Sequence, residues 1–122
     1  TKLSVRPAAS LQDAILFSTF PEVGTKSEND AFRALSKNVQ LTRYGMDCYA
    51  YALLAAGQID LVVEAGLFAY DIQAPIAVIQ AAGGIVTNWQ GAPAHDGGRV
   101  VAAASEGLHS AALEFLSQAP QD

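Results

Sequence analysis

One cysteine, one methionine, one tryptophan and two histidines are all that this 122-residue chain holds of those side chains. Cys48 alone cannot form an internal disulfide, which removes the disulfide-stapled secreted scaffolds and fits a reducing compartment. Positive charge is also scarce. Seven Lys and Arg against twelve Asp and Glu leave a net charge of -5, and so acidic a chain lacks the basic footprint of a nucleic-acid binder. No apolar run reaches the roughly 20 residues of a membrane-spanning helix before Gln, Asp or Gly interrupts it. No charged-then-apolar leader opens the sequence either, so the expectation is a cytoplasmic protein with no membrane partner. Three common chemistries lack their motifs: there is no G-x-S-x-G nucleophile elbow, no G-x-x-x-x-G-K-[ST] and no G-x-G-x-x-G. His95 and His109 lack metal-ligand spacing and read as surface residues.

What the chain does hold is apolar: 51% of its residues are hydrophobic and its mean hydropathy is +0.21. That suffices for one domain with a real core. Period-2 and β-branched runs predict strands over 14–20, 39–44, 60–64, 85–89 and 99–104. In the second of these, Val39, Leu41 and Arg43 share a face; in the third, Ala65-Gly66 is the stop. Helices are predicted from Ser27, with Asp30 completing a capping box, to about Asn38, and over 48–56 with Gly57 beyond the end. A last helix is capped by Ser105 and carries Leu108, Ala112, Phe115 and Leu116 as one stripe. Without repeats or low-complexity tracts, the pattern is a layered mixed α/β sheet of about five strands covered by four helices.

The fourth helix is the centre of the reading. Pro75 is best tolerated in a first turn, so this helix should begin between Asp71 and Ala74 and end at Gly83 or Gly84. Asp71 then stands at the helix start, where a carboxylate either caps the N-terminus or ligates a metal at the edge of a site. Glu64 precedes it by seven residues at a strand end, and strand ends line the ligand crevice of α/β sheets. Asp47 either caps the helix that follows it or faces a cationic group. Arg43 can pair with a phosphate oxygen or hold Asp47 or Glu64 in place. Trp89 is expected to pack over a strand end.

The run Tyr70-Asp71, an apolar helix, Ala82-Gly83-Gly84 and Ile85-Val86-Thr87 resembles the C-terminal signature of the inositol monophosphatase family of magnesium-dependent phosphomonoesterases. By that resemblance Asp71 is a Mg²⁺ ligand and Glu64 contacts the organic part of the substrate. The segment Thr42-Arg43-Tyr44-Gly45-Met46-Asp47-Cys48-Tyr49-Ala50-Tyr51 is similar to the histidinol-phosphate phosphatases of the same fold. A cationic amino alcohol suits carboxylates at Asp47 and Glu64 better than neutral inositol does, which implies a role in histidine biosynthesis. The family's Asp-Pro-[Ile/Leu]-Asp-Gly-[Thr/Ser] motif, which supplies most of the metal ligands, is absent. The resemblance therefore implies that the chain corresponds to the C-terminal half, that the N-terminal metal-binding half lies elsewhere, and that this chain alone is inactive. A homo-oligomer, typically a dimer, is the family's usual assembly. An inositol monophosphatase is the alternative substrate reading. A non-catalytic small-molecule-binding or oligomerisation module is the alternative from another class.

Overall fold

In the computed structural model, which describes residues 10–18, 24–45, 49–67 and 69–120, the apolar runs become one five-stranded sheet. The strands are β1 (Ile15–Ser18), β2 (Leu41–Tyr44), β3 (Leu61–Leu67), β4 (Ile85–Thr87) and β5 (Gly98–Ala103), in the spatial order β2-β1-β3-β5-β4. β1 runs parallel to both β2 and β3, whereas β5 is antiparallel to β3 and to β4. The sheet is therefore mixed, as expected. Four helices accompany it: α1 (Lys26–Ser36), α2 (Tyr49–Ala55), α3 (Ala69–Ala81) and α4 (Glu106–Leu116).

Topology fixes which face each helix covers. The β1–α1–β2 crossover moves one way along the sheet, and the β2–α2–β3 crossover returns past β1. Right-handed crossovers in opposite directions place α1 and α2 on opposite faces. α4 packs with α1, and α3 packs with α2. Each face thus carries two helices, and one continuous core runs through Leu16, Phe32, Leu61, Ile72, Ile79 and Trp89.

Helix boundaries follow their caps, with two departures from expectation. α1 begins two residues earlier than Ser27–Asp30 implies, because its capping box is Thr25 with Glu28. Glu28 Oε1 accepts from the Thr25 N–H at 2.7 Å, and Asp30 instead forms an exposed pair with Lys26 at 3.4 Å. α3 starts at Ala69, so Asp71 lies inside its first turn and Pro75 in the second. Pro75 removes the N–H that would bond the Asp71 carbonyl, a local penalty. Burial of Ile72, Ile76 and Ile79 on one face outweighs it, because several buried aliphatic side chains at ~2 kcal/mol each exceed one lost helical bond. The other end matches the sequence reading. Gly83 stands just past the helix with φ 99°, and Gly84 N–H and Gly83 N–H bond to the Ile79 and Gln80 carbonyls at 2.9 and 3.1 Å, the Schellman pattern. α4 is capped by Ser105, whose Oγ accepts from Leu108 N–H at 3.2 Å.

Strand ends shift by small amounts. β2 starts at Leu41 and is an exposed edge strand, so Val39 precedes it rather than sharing its face. β4 ends at Thr87; Trp89 lies beyond it, fully buried, donating from Nε1 to the Val100 carbonyl at 3.1 Å. β3 continues past Glu64 to Leu67 through a register shift. The expected stop at Ala65-Gly66 is a bulge instead.

Asp60 has a role that the sequence did not announce. It is fully buried just before β3, and its Oδ2 accepts from the Ile15 N–H at 2.7 Å while its own N–H donates to the Ile15 carbonyl at 3.0 Å. The side chain thus starts the β1–β3 ladder. Asp60→Ala leaves the Ile15 donor without this acceptor and is expected to lower stability by about 2–3 kcal/mol. Urea unfolding of wild type and variant reads that loss directly.

Candidate active-site crevice

Three parallel strands, β2, β1 and β3, end at the same edge of the sheet, and α2 and α3 start from that edge. Such an edge is where open α/β sheets receive ligands. Toward that edge lie Ser18 at the end of β1, Arg43 and Tyr44 at the end of β2, Glu64 on β3 and the first turn of α3 with Asp71. Gly45 N–H still bonds the Ser18 carbonyl at 3.2 Å, so the chain leaves β2 alongside the end of β1. The first-turn N–H groups of α3 present the positive end of its dipole here, which suits a phosphate or another anion.

Each sequence-predicted residue can now be placed. Glu64 is buried on β3. It pairs across the ladder with Val100, so it shares that residue's face. Arg99, the next residue along, reaches Glu28 of α1, so Glu64 faces the opposite side, the one covered by α2 and α3. Asp71 is half-buried in the first turn of α3, on that same side. Arg43 is exposed on edge strand β2, paired in register with Phe17 of β1. With β1 between them, the β2 and β3 backbones lie about 10 Å apart. Asp47 lies outside the described residues. The fold therefore gathers Arg43, Glu64 and Asp71 at one edge, with Glu64 and Asp71 sharing a face.

Resemblance to the family also pointed to the hydroxyls of Ser18 and Thr19, of which Thr19 lies outside the described residues. Ser18 is 2% exposed, and its Oγ has no hydrogen-bond partner among the described residues. Its register with Tyr44, which packs on Phe32 of α1, puts this hydroxyl on the sheet face away from Glu64. Glu28 and Arg99 form an ion pair on the other face, with side chains only 11% and 14% exposed. Burial alone would raise the Glu28 carboxyl, but the Thr25 N–H and the Arg99 guanidinium outweigh it and hold it below its ordinary value. The sequence reading placed the capping box at Ser27 and Asp30 instead of Thr25 and Glu28, and no local signal links residues 71 positions apart. His109 is not a surface residue as expected. It is half-buried, with Nε2 2.7 Å from Thr87 Oγ1. Thr87 already donates to the Asn88 carbonyl, so His109 Nε2 must carry the proton between them. Burial lowers its pKa, against a smaller opposing pull from Glu106.

Among the described residues no group of three His, Cys, Asp or Glu side chains is arranged to hold a metal ion. Asp71 suits one position on a hard, oxygen-seeking cation, since a carboxylate at a crevice wall is the donor Mg²⁺ prefers.

The family model described as the inositol monophosphatase family matches residues 1–121. The bifunctional phosphatase IMPL2, chloroplastic, of Arabidopsis thaliana is 38% identical over 93% of this chain and 36% of its own length. The histidinol-phosphatase of Streptomyces coelicolor is 33% identical over 96% of this chain and 44% of its own. Among solved structures, an inositol monophosphatase from Zymomonas mobilis superposes with a TM-score of 0.90 at 35% identity, over 94% of this chain and 46% of that one. An inositol monophosphatase from Anabaena gives 0.82 at 26% identity. The chain thus spans half or less of the length of these relatives. With a family model along nearly all of it and a fold shared with those enzymes, the chain belongs to the inositol monophosphatase family.

Proposed function

We propose that this chain is the C-terminal portion of a Mg²⁺-dependent phosphomonoesterase whose substrate is histidinol phosphate. The observation that carries this reading is that Glu64, buried on β3, faces the side of the sheet covered by α3, whose first turn carries Asp71. In this reading Asp71 supplies one Mg²⁺ ligand, and the rest come from the portion that the relatives carry and this chain does not. Bound there, Mg²⁺ supplies activation of the attacking water and charge neutralisation at the departing alkoxide.

The chain's own residues bind and orient. Glu64 and Asp47 hold the cationic organic portion, and Glu64 acts strongly because it is buried. Arg43 supports the phosphate, and its exposure on the edge strand leaves its guanidinium fork able to reach outward. Two relatives named histidinol-phosphatase, from Streptomyces coelicolor and Mycobacterium tuberculosis, support this substrate. The likeness to the Zymomonas mobilis inositol monophosphatase favours inositol phosphate as the second reading. The reading also places the intact protein in the cytoplasm, in histidine biosynthesis, as a homodimer.

The test is phosphate release by the intact protein that carries this chain. With Mg²⁺, histidinol phosphate is expected to turn over with kcat/KM at least about tenfold above inositol phosphate, a gap one charged hydrogen bond can supply. Chelation should stop the reaction. Glu64→Gln is expected to raise KM for histidinol phosphate about tenfold and to move that for inositol phosphate, whose organic part is uncharged, much less. Turnover of neither ester would leave a non-catalytic binding or oligomerisation module as the correct reading.

A further inference from the structure

The β3–β5 ladder pairs Glu64 with Val100 and Leu67 with Gly98. Ala65 and Gly66 therefore stand together opposite Arg99, two residues against one. This is a β-bulge, which bends a strand and increases its local twist. Gly66 has φ 77°, a left-handed conformation that residues with a Cβ rarely adopt. The bulge begins one residue after Glu64, so it sets how the strand carrying that carboxylate ends.

Behind the bulge, on the face away from Glu64, the contacts converge. Arg99 Nε donates to Glu28 Oε2, and its terminal nitrogens donate to the Ala119 carbonyl at 3.3 Å and to the Pro120 carbonyl. Its guanidinium lies 5.4 Å from the centre of the Trp89 ring, within cation–π range. The other Glu28 oxygen holds the Thr25 N–H. Gly24 fills the gap between Glu28 and the bulge so closely that a Cβ there would lie 2.1 Å from Glu28 Oε1 and 2.9 Å from Ala65 Cβ. Thus the start of α1 packs against Ala65, while the segment after α4 and the ring of Trp89 hold Arg99, the residue opposite the bulge. An ion pair serving only general stability would not need this close packing at one strand end.

We propose that Glu28 and Arg99 are positioning residues that act through Gly24 and the Ala65-Gly66 bulge to fix the direction in which Glu64 enters the crevice. They stand on the opposite face of the sheet and so cannot touch the substrate themselves. This rests on the reading of Glu64 as a substrate contact.

The experiment compares wild type, Glu28→Gln, Arg99→Lys and Glu64→Gln in the intact protein. It reads kcat and KM for histidinol phosphate together with amide hydrogen exchange along β3. Glu28→Gln and Arg99→Lys are each expected to speed exchange at Gly66 and Leu67 about tenfold relative to Val62 and Val63, by loosening the bulge locally. Each should also raise KM roughly tenfold while kcat stays within about threefold, the signature of a displaced binding group. Asp60→Asn serves as a comparator that lowers stability from the far end of β3; it should leave KM unchanged. If Glu64→Gln raises KM but the two pair variants do not, or if the bulge amides keep their protection, the positioning role is overturned. If Glu64→Gln itself leaves KM unmoved, the substrate role of Glu64 fails and takes the proposal with it. Should one pair variant not fold, the other carries the same readouts.

Discussion

Asp71→Asn in the intact protein is expected to lower kcat/KM for the phosphate ester about a thousandfold while leaving the fold in place. The substitution keeps the shape of the side chain and its place in the first turn of α3, so Ile72, Ile76 and Ile79 still pack as they do. What it removes is the negative oxygen that a hard cation needs. Cation stabilisation of transition-state charge is worth several kcal/mol, and about 4 kcal/mol corresponds to that thousandfold loss. The measurement is phosphate release across a Mg²⁺ titration, paired with near-ultraviolet circular dichroism to verify packing. A higher Mg²⁺ requirement should accompany the lower rate. Unchanged turnover would remove Asp71 from the metal site.

The second large effect is on stability. Arg99→Met leaves the Glu28 carboxylate buried without its cation, and breaking such a pair from one side destabilises by about 3 kcal/mol. For a chain of this size that is a fall in Tm of about 10 °C. The loss depends on pH in a defined sense. In the folded protein Glu28 sits below its ordinary value of 4.5, so its contribution is complete above that value and is lost as pH falls through the lower, folded one. In Arg99→Met burial remains but its largest charged partner is gone, so Glu28 takes up a proton at higher pH. The gap in Tm between wild type and variant should therefore be widest near neutrality and should narrow below about pH 4. A gap that stays constant from pH 7 to pH 3 would show that the pair carries no net charge-dependent stability.

How much of this could be read from the sequence depended on how local each cause is. Ser105 as a helix cap, Gly83 as a helix stop and the stripe of Leu108, Ala112 and Leu116 were all legible, because each is decided within one or two turns. The start of α3 was misplaced because the rule for Pro75 is local, whereas the burial that overrides it comes from across the fold. The bulge after Glu64 could not be foreseen: a bulge exists only relative to a partner strand, and β5 comes more than thirty residues later. The same holds for Glu28 with Arg99 and for His109 with Thr87, whose partners meet only once α1 and α4 have docked. Glu64 and Asp71 were legible as a pair because the strand-to-helix step between them keeps both at one sheet edge. Their chemistry, in contrast, came from family resemblance and not from spacing. Asp47 remains an expectation, since it lies outside the described residues.

Trp89 is the chain's single tryptophan, and it is fully buried against the Arg99 guanidinium. The chain thus contains its own optical reporter of the brace behind Glu64. Its emission should be blue-shifted while the ring stays dry beneath the cation, and should move to longer wavelength as the indole meets solvent. Stopped-flow fluorescence could then time the opening of that region with no label attached.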